Sequence, residues 1–177
     1  LCSPDGKPED PRIKEEDCYH PGNYDEKFIG PVTLRRSLAQ SRNVPSVKVL
    51  YLADVQDSIK TAEATGITTL TDPQRYGLSL VLGGAEVKLL DMTSAYGVFA
   101  TGGILHKANP ILKIEAKGSV LEEKEDQPQQ VLDTEVAETI SDVLSDDDAR
   151  QPVFQPRGSL WLPDRPAAAK TGTTQEY

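Results

Sequence analysis

Two glycine pairs, Gly83-Gly84 and Gly102-Gly103, bracket the segment that most limits what this chain can become. Between them Leu89, Met92, Tyr96 and Phe99 recur at spacings of 3, 4 and 3, which is the period of one helical face. Glycine readily takes the left-handed conformation that closes a helix, so the second pair is the expected stop. The segment is apolar over much of its circumference, which predicts a buried central helix with the Met-and-aromatic stripe as core packing. Glu86, Lys88 and Asp91 interrupt it, so it falls short of the roughly 20 apolar residues that span a bilayer.

Shorter helices are expected upstream. Thr33, following Pro31, is a good N-cap for a helix with Leu34, Leu38 and Ala39 as its stripe, ended by Ser41-Arg42-Asn43. Pro45 fits the first turn of a second helix carrying Val47, Leu50 and Tyr51. A third covers Val55 to Ala64 and stops at Gly66. Downstream, Ile111 to Glu115 and Ser119 to Glu122 flank Lys117-Gly118 and read as an exposed hairpin. One more helix runs from about Asp133 to Leu144, with Val136, Ile140, Val143 and Leu144 inward. The small residues Ala167 to Ala169, after Pro166, lead into Lys170-Thr171-Gly172 as a strand. Residues 1–30 are polar and read as an arm that settles near Tyr24 and Phe28, leaving 31–177 as one partial domain.

Composition sets broad limits. Apolar residues at 37% and charged residues at 27% of 177 suit a soluble globular domain. A net charge of −9 opposes nucleic-acid binding, which needs basic surface to displace counterions from phosphates. Asp146-Asp147-Asp148 lacks the alternating ligands and following Glu of a calcium loop and reads as a solvated helix end. His20 and His106 have no cysteine or carboxylate at metal-ligand spacing, so neither a metal nor a cofactor is expected. Cys2 and Cys18 read as separate thiols or, in an oxidising compartment, as a disulfide. The chain opens without an initiator methionine or signal pattern, as an internal boundary would.

Two motifs carry chemistry. Ser41-x-Asn43 is common by chance and suits a helix terminus, whereas Lys170-Thr171-Gly172 is rarer. Together and in this order, they resemble the later two of the three motifs of penicillin-binding proteins and class A β-lactamases. The middle motif, Ser-Arg-Asn, is similar to the penicillin-binding side. Asn23-Tyr24-Asp25, Phe28 to Arg35, Ser37 to Pro45, Leu80 to Gly84, Ser94 to Gly97 with Phe99-Ala100, and Ala168 to Thr174 extend the likeness. From Tyr19 to Tyr177 the chain resembles the transpeptidase domain of class A, bifunctional penicillin-binding proteins.

That resemblance implies an incomplete α/β (α+β) serine transpeptidase or β-lactamase-like fold, mostly the helical subdomain plus a hairpin and the Lys-Thr-Gly strand. It implies acyl transfer, in which a serine attacks the carbonyl between two terminal D-alanines of a peptidoglycan stem peptide. Ser41 would carry protons to the departing amine, Asn43 would hold the substrate backbone, and Lys170 would supply positive charge. Thr171 and Thr173 would bind the terminal carboxylate, with the Thr173 N–H as half of the oxyanion hole. Gly172 would let the substrate lie against the strand edge. Partners would be stem peptides, β-lactams and the remaining segments of the same domain, on the extracytoplasmic face of the plasma membrane.

One departure matters. None of the eleven serines is followed three places on by lysine, so the family's Ser-x-x-Lys nucleophile is absent and the chain alone should be inert. Two rivals stand beside this reading. A serine β-lactamase would need a carboxylate to position water, and no matching Glu motif is present. A non-catalytic module of the same fold would bind cell-wall or divisome partners.

Overall fold

The computed structural model describes residues 2, 3 and 6–172. In chain order the elements are α1 (Leu34–Ala39), α2 (Asn43–Ala53), α3 (Val55–Ala64), α4 (Leu89–Ala100), β1 (Ile104–Leu105), β2 (Lys113–Ala116), β3 (Ser119–Glu123), β4 (Gln129–Gln130), α5 (Thr134–Ser145) and α6 (Asp147–Arg150). Two compact units share them. One comprises residues up to Lys60, Thr71–Glu86 and the chain from Ser141; the other comprises Thr61–Leu70 and Val87–Ile140.

In the first unit α1 starts as its sequence dictates, with the Thr33 hydroxyl accepting the Arg36 N–H at 3.3 Å. Helix α1 packs on α2 and α6, and Ala39, Val143 and Ala149 form a small core with Leu38 against it. Polar links fasten the same elements. Arg35 bridges Asp142 and Asp146, and the buried Gln40 amide donates to the carbonyl of Ala149 at 3.0 Å. Asp146 also accepts the Ala149 N–H at 2.8 Å, so the acidic run caps α6. Val47 and Leu50 are buried on α2, while Tyr51 is exposed and donates to Glu9.

The arm takes one of the two expected states of its cysteines and departs from expectation in how it is anchored. Cys2 and Cys18 form a disulfide, with Cα atoms 5.7 Å apart. The two cysteines close a loop that folds on itself, since a Cβ at Gly6 would lie 2.3 Å from the His20 ring. Tyr24 and Phe28, expected as anchors, are 89% and 75% exposed. The arm is held instead by polar bonds from Gly22, Asn23 and Asp25.

In the second unit α4 packs on β1, which pairs antiparallel with β4. The helix closes on Gly102 and Gly103: the Gly103 N–H returns to Val98 O at 2.8 Å and that of Gly102 to Phe99 O at 3.4 Å. Gly103 is required here, because a Cβ would lie 2.2 Å from Leu132 O. The inward face of α4 is not the predicted one. Asp91, Ala95 and Val98 are buried, whereas Leu89 is 83% exposed and Leu90, Met92 and Tyr96 are also exposed. The buried face is built from small side chains, which permit close approach to β1, while Asp91 accepts the N–H and hydroxyl of Thr68 at 2.8 and 2.6 Å. Those bonds hold its carboxyl below the usual range.

Strands β2 and β3 form the expected hairpin across Lys117 and Gly118, both at positive φ as a type I′ turn requires. All of its residues are exposed. Helix α5 buries Ala137, Val143 and Leu144, but Val136 is exposed. Among the described residues no helix is long and apolar enough to cross a membrane.

Candidate functional site

Three helical segments end in the same way on glycine. Gly66, Gly83 and Gly102 all have φ between 68° and 102° and donate back into the preceding turn. Helix α1 ends with the same bonding pattern but without glycine. Arg42 N–H donates to Ser37 O at 2.9 Å and Ser41 N–H to Leu38 O at 3.1 Å, with Ser41 at φ 56°. A residue with a Cβ is disfavoured there by roughly 1–2 kcal/mol. The turn places Ser41 in the connection between α1 and α2, and such strain persists only where neighbouring bonds hold it.

Lys170 reaches this hydroxyl from the far end of the sequence. The Ala169 N–H donates to Leu144 O at 2.9 Å and fixes the segment beside the end of α5. The Lys170 Nζ then donates to Ser41 Oγ at 2.6 Å and to Thr171 O at 2.8 Å. Lys170 is half-buried, and among the described residues no carboxylate pairs with it. Burial therefore pushes its ammonium below the ordinary 10.5. A lysine so shifted, touching a serine hydroxyl, can exchange a proton with it more readily than a solvated one.

The remaining predicted residues stand around this pair. Asn43 opens α2, and its amide Nδ2 donates to Gly22 O at 2.9 Å. Thr171 is half-buried and Gly172 exposed, with open space where a Cβ would stand. Thr173 lies outside the described residues. The strand expected over Ala167 to Gly172 is not formed: among the described residues the segment belongs to no ladder, and Ala169 bonds instead to the end of α5.

Sequence reasoning gave no role to Arg42, the middle residue of the motif. Its side chain is 7% exposed, and its Nη1 donates to both carboxylate oxygens of Asp25, at 2.8 and 2.7 Å. The Arg42 bonds and the Lys27 N–H hold the Asp25 carboxyl below the usual range. Asn23 completes the contact, its Oδ1 accepting the Val44 N–H at 3.2 Å and its Nδ2 donating to Lys27 O at 2.8 Å. Only the presence of Asn23-x-Asp25 near a buried arginine could have signalled this, and burial is not visible in sequence.

His106 meets Asp126 at 2.5 Å on an exposed loop, a partner its sequence neighbours do not reveal. Among the described residues no group of three or more His, Cys, Asp or Glu is arranged to hold a metal. A shallow hollow lined by Ile111 to Ile114 and another lined by Asp147, Arg150 and Phe154 include neither Ser41 nor Lys170.

Comparison with known proteins follows the same lines. No family model matches the chain. Penicillin-binding protein 1A of Aquifex aeolicus is 37% identical over 169 residues, 93% of this chain and 22% of that protein. Penicillin-binding protein 1C of Escherichia coli is 32% identical over 161 residues, 90% of this chain and 19% of that protein. The chain thus spans about a fifth of the length of these relatives. Among solved structures, penicillin-binding protein 1A of Haemophilus influenzae superposes with a TM-score of 0.67 at 22% identity, over 77% of this chain and 24% of that one. Penicillin-binding protein A of Mycobacterium tuberculosis, solved as an imipenem acyl-enzyme complex, gives 0.68 at 19% identity, over 86% and 39%. At those identities the structures establish the fold, and with the sequence relatives they place the chain in the class A penicillin-binding proteins, as part of their serine transpeptidase-type domain.

Proposed function

We propose that the chain contributes the second and third motifs of a peptidoglycan D,D-transpeptidase that cross-links stem peptides through a serine acyl-enzyme and is acylated by β-lactams. The carrying observation is the 2.6 Å bond between Ser41 and Lys170, which joins two motifs at opposite ends of the chain. Ser41 passes a proton to the amine that leaves when the acyl-enzyme forms, and Lys170 replenishes it. The positive charge of Lys170 also attracts the substrate's terminal carboxylate, which Thr171 and Thr173 bind. Asn43, whose Nδ2 donates to Gly22 O, offers its amide oxygen to the substrate backbone, and the bare edge at Gly172 lets that backbone lie alongside. The nucleophile is a Ser-x-x-Lys serine that none of the eleven serines here supplies. The chain alone is therefore inert and forms its site with the remaining segments of the domain, residues 31–177 being its share, on the extracytoplasmic face of the membrane.

Fluorescent penicillin tests this reading. Labelling of a chain extended to include a Ser-x-x-Lys segment, and not of these 177 residues alone, is the expected result. Labelling of neither contradicts it in favour of a non-catalytic module. Rapid turnover of the label in the extended chain points to a β-lactamase.

A further inference from the structure

Ser41 occupies a backbone conformation that its own helix does not favour, so something outside α1 has to hold it. The two residues that follow it are held by one short stretch of the arm. Asp25 takes the buried Arg42 guanidinium with both oxygens, Gly22 O takes the Asn43 amide, and Asn23 Oδ1 caps α2 at the Val44 N–H. Arg42 is tied on its other side to Gln40 Oε1 at 3.4 Å, and Gln40 to Ala149 O. The residues before and after Ser41 are thus fixed, and Ser41 cannot leave the left-handed region without breaking the bonds that the buried Arg42 makes to the half-exposed Asp25.

We propose that Gly22–Asp25 is a positioning clamp for the Ser41-x-Asn43 motif, with Asp25 and Asn23 acting through Arg42 and α2 to set the Ser41 hydroxyl against Lys170. Neither residue touches the reacting groups. The proposal rests on the functional reading of the Ser41–Lys170 pair, but its test needs no catalysis. Removing the carboxylate leaves Arg42 buried without its partner, the turn relaxes, and Ser41 Oγ withdraws from Lys170. The lysine then gains water and titrates closer to its ordinary value.

The experiment follows the Cε signal of Lys170 by NMR across alkaline pH, in the 177-residue chain and in Asp25→Ala, assigned through Lys170→Arg. The expected result is a depressed Lys170 titration in the parent that moves up by about half a pH unit or more in Asp25→Ala. Asp25→Glu, which retains a carboxylate, restores part of the depression. Helical circular dichroism confirms that the variant is folded; if Asp25→Ala does not fold, Asp25→Asn, of the same size, gives the reading. A folded variant whose Lys170 titrates as in the parent overturns the clamp, since a merely stabilising contact would change melting and not this titration. An undepressed Lys170 in the parent would contradict the burial of its ammonium and overturn the reading as well.

Discussion

Lys170 Nζ donates to Ser41 Oγ at 2.6 Å, although 129 positions separate the two residues in the chain. The contact depends on two local facts, a serine in a left-handed helix cap and a backbone bond from Ala169 to the end of α5. Each can be tested separately.

The strain at Ser41 is measurable by comparing two substitutions that both remove the hydroxyl. Ser41→Gly relieves the left-handed conformation and Ser41→Ala does not. Urea unfolding should show the glycine variant more stable than the alanine variant by about 1 kcal/mol, after the greater entropy of glycine in the unfolded chain is offset. Equal stability, or an advantage for alanine, would mean that the cap is not strained.

Lys170 gives a signed pH dependence. Its folded-state value lies below 10.5, so the folded chain binds fewer protons than the unfolded chain between the lowered value and 10.5. Its contribution is therefore unfavourable at lower pH and is relieved as pH rises through that window. Urea midpoints of the parent should gain on those of Lys170→Met from neutral pH towards 10.5. A parent that loses ground to the variant over this range would contradict the burial of the ammonium.

The face of α4 makes a paired prediction. Val98 is fully buried and Leu89 is 83% exposed. Val98→Ala should cost about 2 kcal/mol in denaturant unfolding, and Leu89→Ala less than about 0.5 kcal/mol. Leu89→Glu should also reduce dye binding to the exposed apolar stripe without changing the fold. A larger loss at Leu89 than at Val98 would restore the orientation expected from the sequence.

The disulfide closes a loop of sequence separation 16. On chain entropy a loop of that size contributes about 3 kcal/mol. The double variant Cys2→Ser with Cys18→Ser should lose stability on that scale, and reduction of the parent should match it. No effect from either would mean that the arm is held by its bonds to the helices, among them Asp25–Arg42, Asn23–Val44, Gly22–Asn43 and Glu9–Tyr51.

What the sequence made legible was local. Thr33, Gly66, Gly102-Gly103 and Lys117-Gly118 set the starts, stops and turn of their elements through bonds to near neighbours, and those boundaries were expected. Ser41, Asn43, Lys170, Thr171 and Gly172 were legible as motifs. Orientation was not. The 3.6-residue period shows that α4 has an apolar stripe, but only tertiary packing decides that Ala95 and Val98 go inward. The arm illustrates the same limit: Tyr24 and Phe28 have the chemistry of anchors, yet the bonds from Asp25 to Arg42 and Asn23 to Val44 hold it. Those pairs are formed across 17 and 21 positions, and no periodicity reports them. The strand expected from Ala167 to Gly172 is missing for a comparable reason, because a strand is defined by its neighbour as much as by its own residues.

The proposed relay runs from Lys170 through Ser41 to the amine that leaves when the acyl-enzyme forms. Its most direct test is the rate of labelling by fluorescent penicillin in a chain extended to include the Ser-x-x-Lys segment, with Ser41→Ala and Lys170→Ala compared against the parent. Loss of a positioned proton carrier typically costs on the order of a hundredfold or more. A fall of about that size is expected for each variant, with little further loss when the two are combined, because they form one relay. Labelling within about threefold of the parent in both variants, with the protein folded, would contradict it.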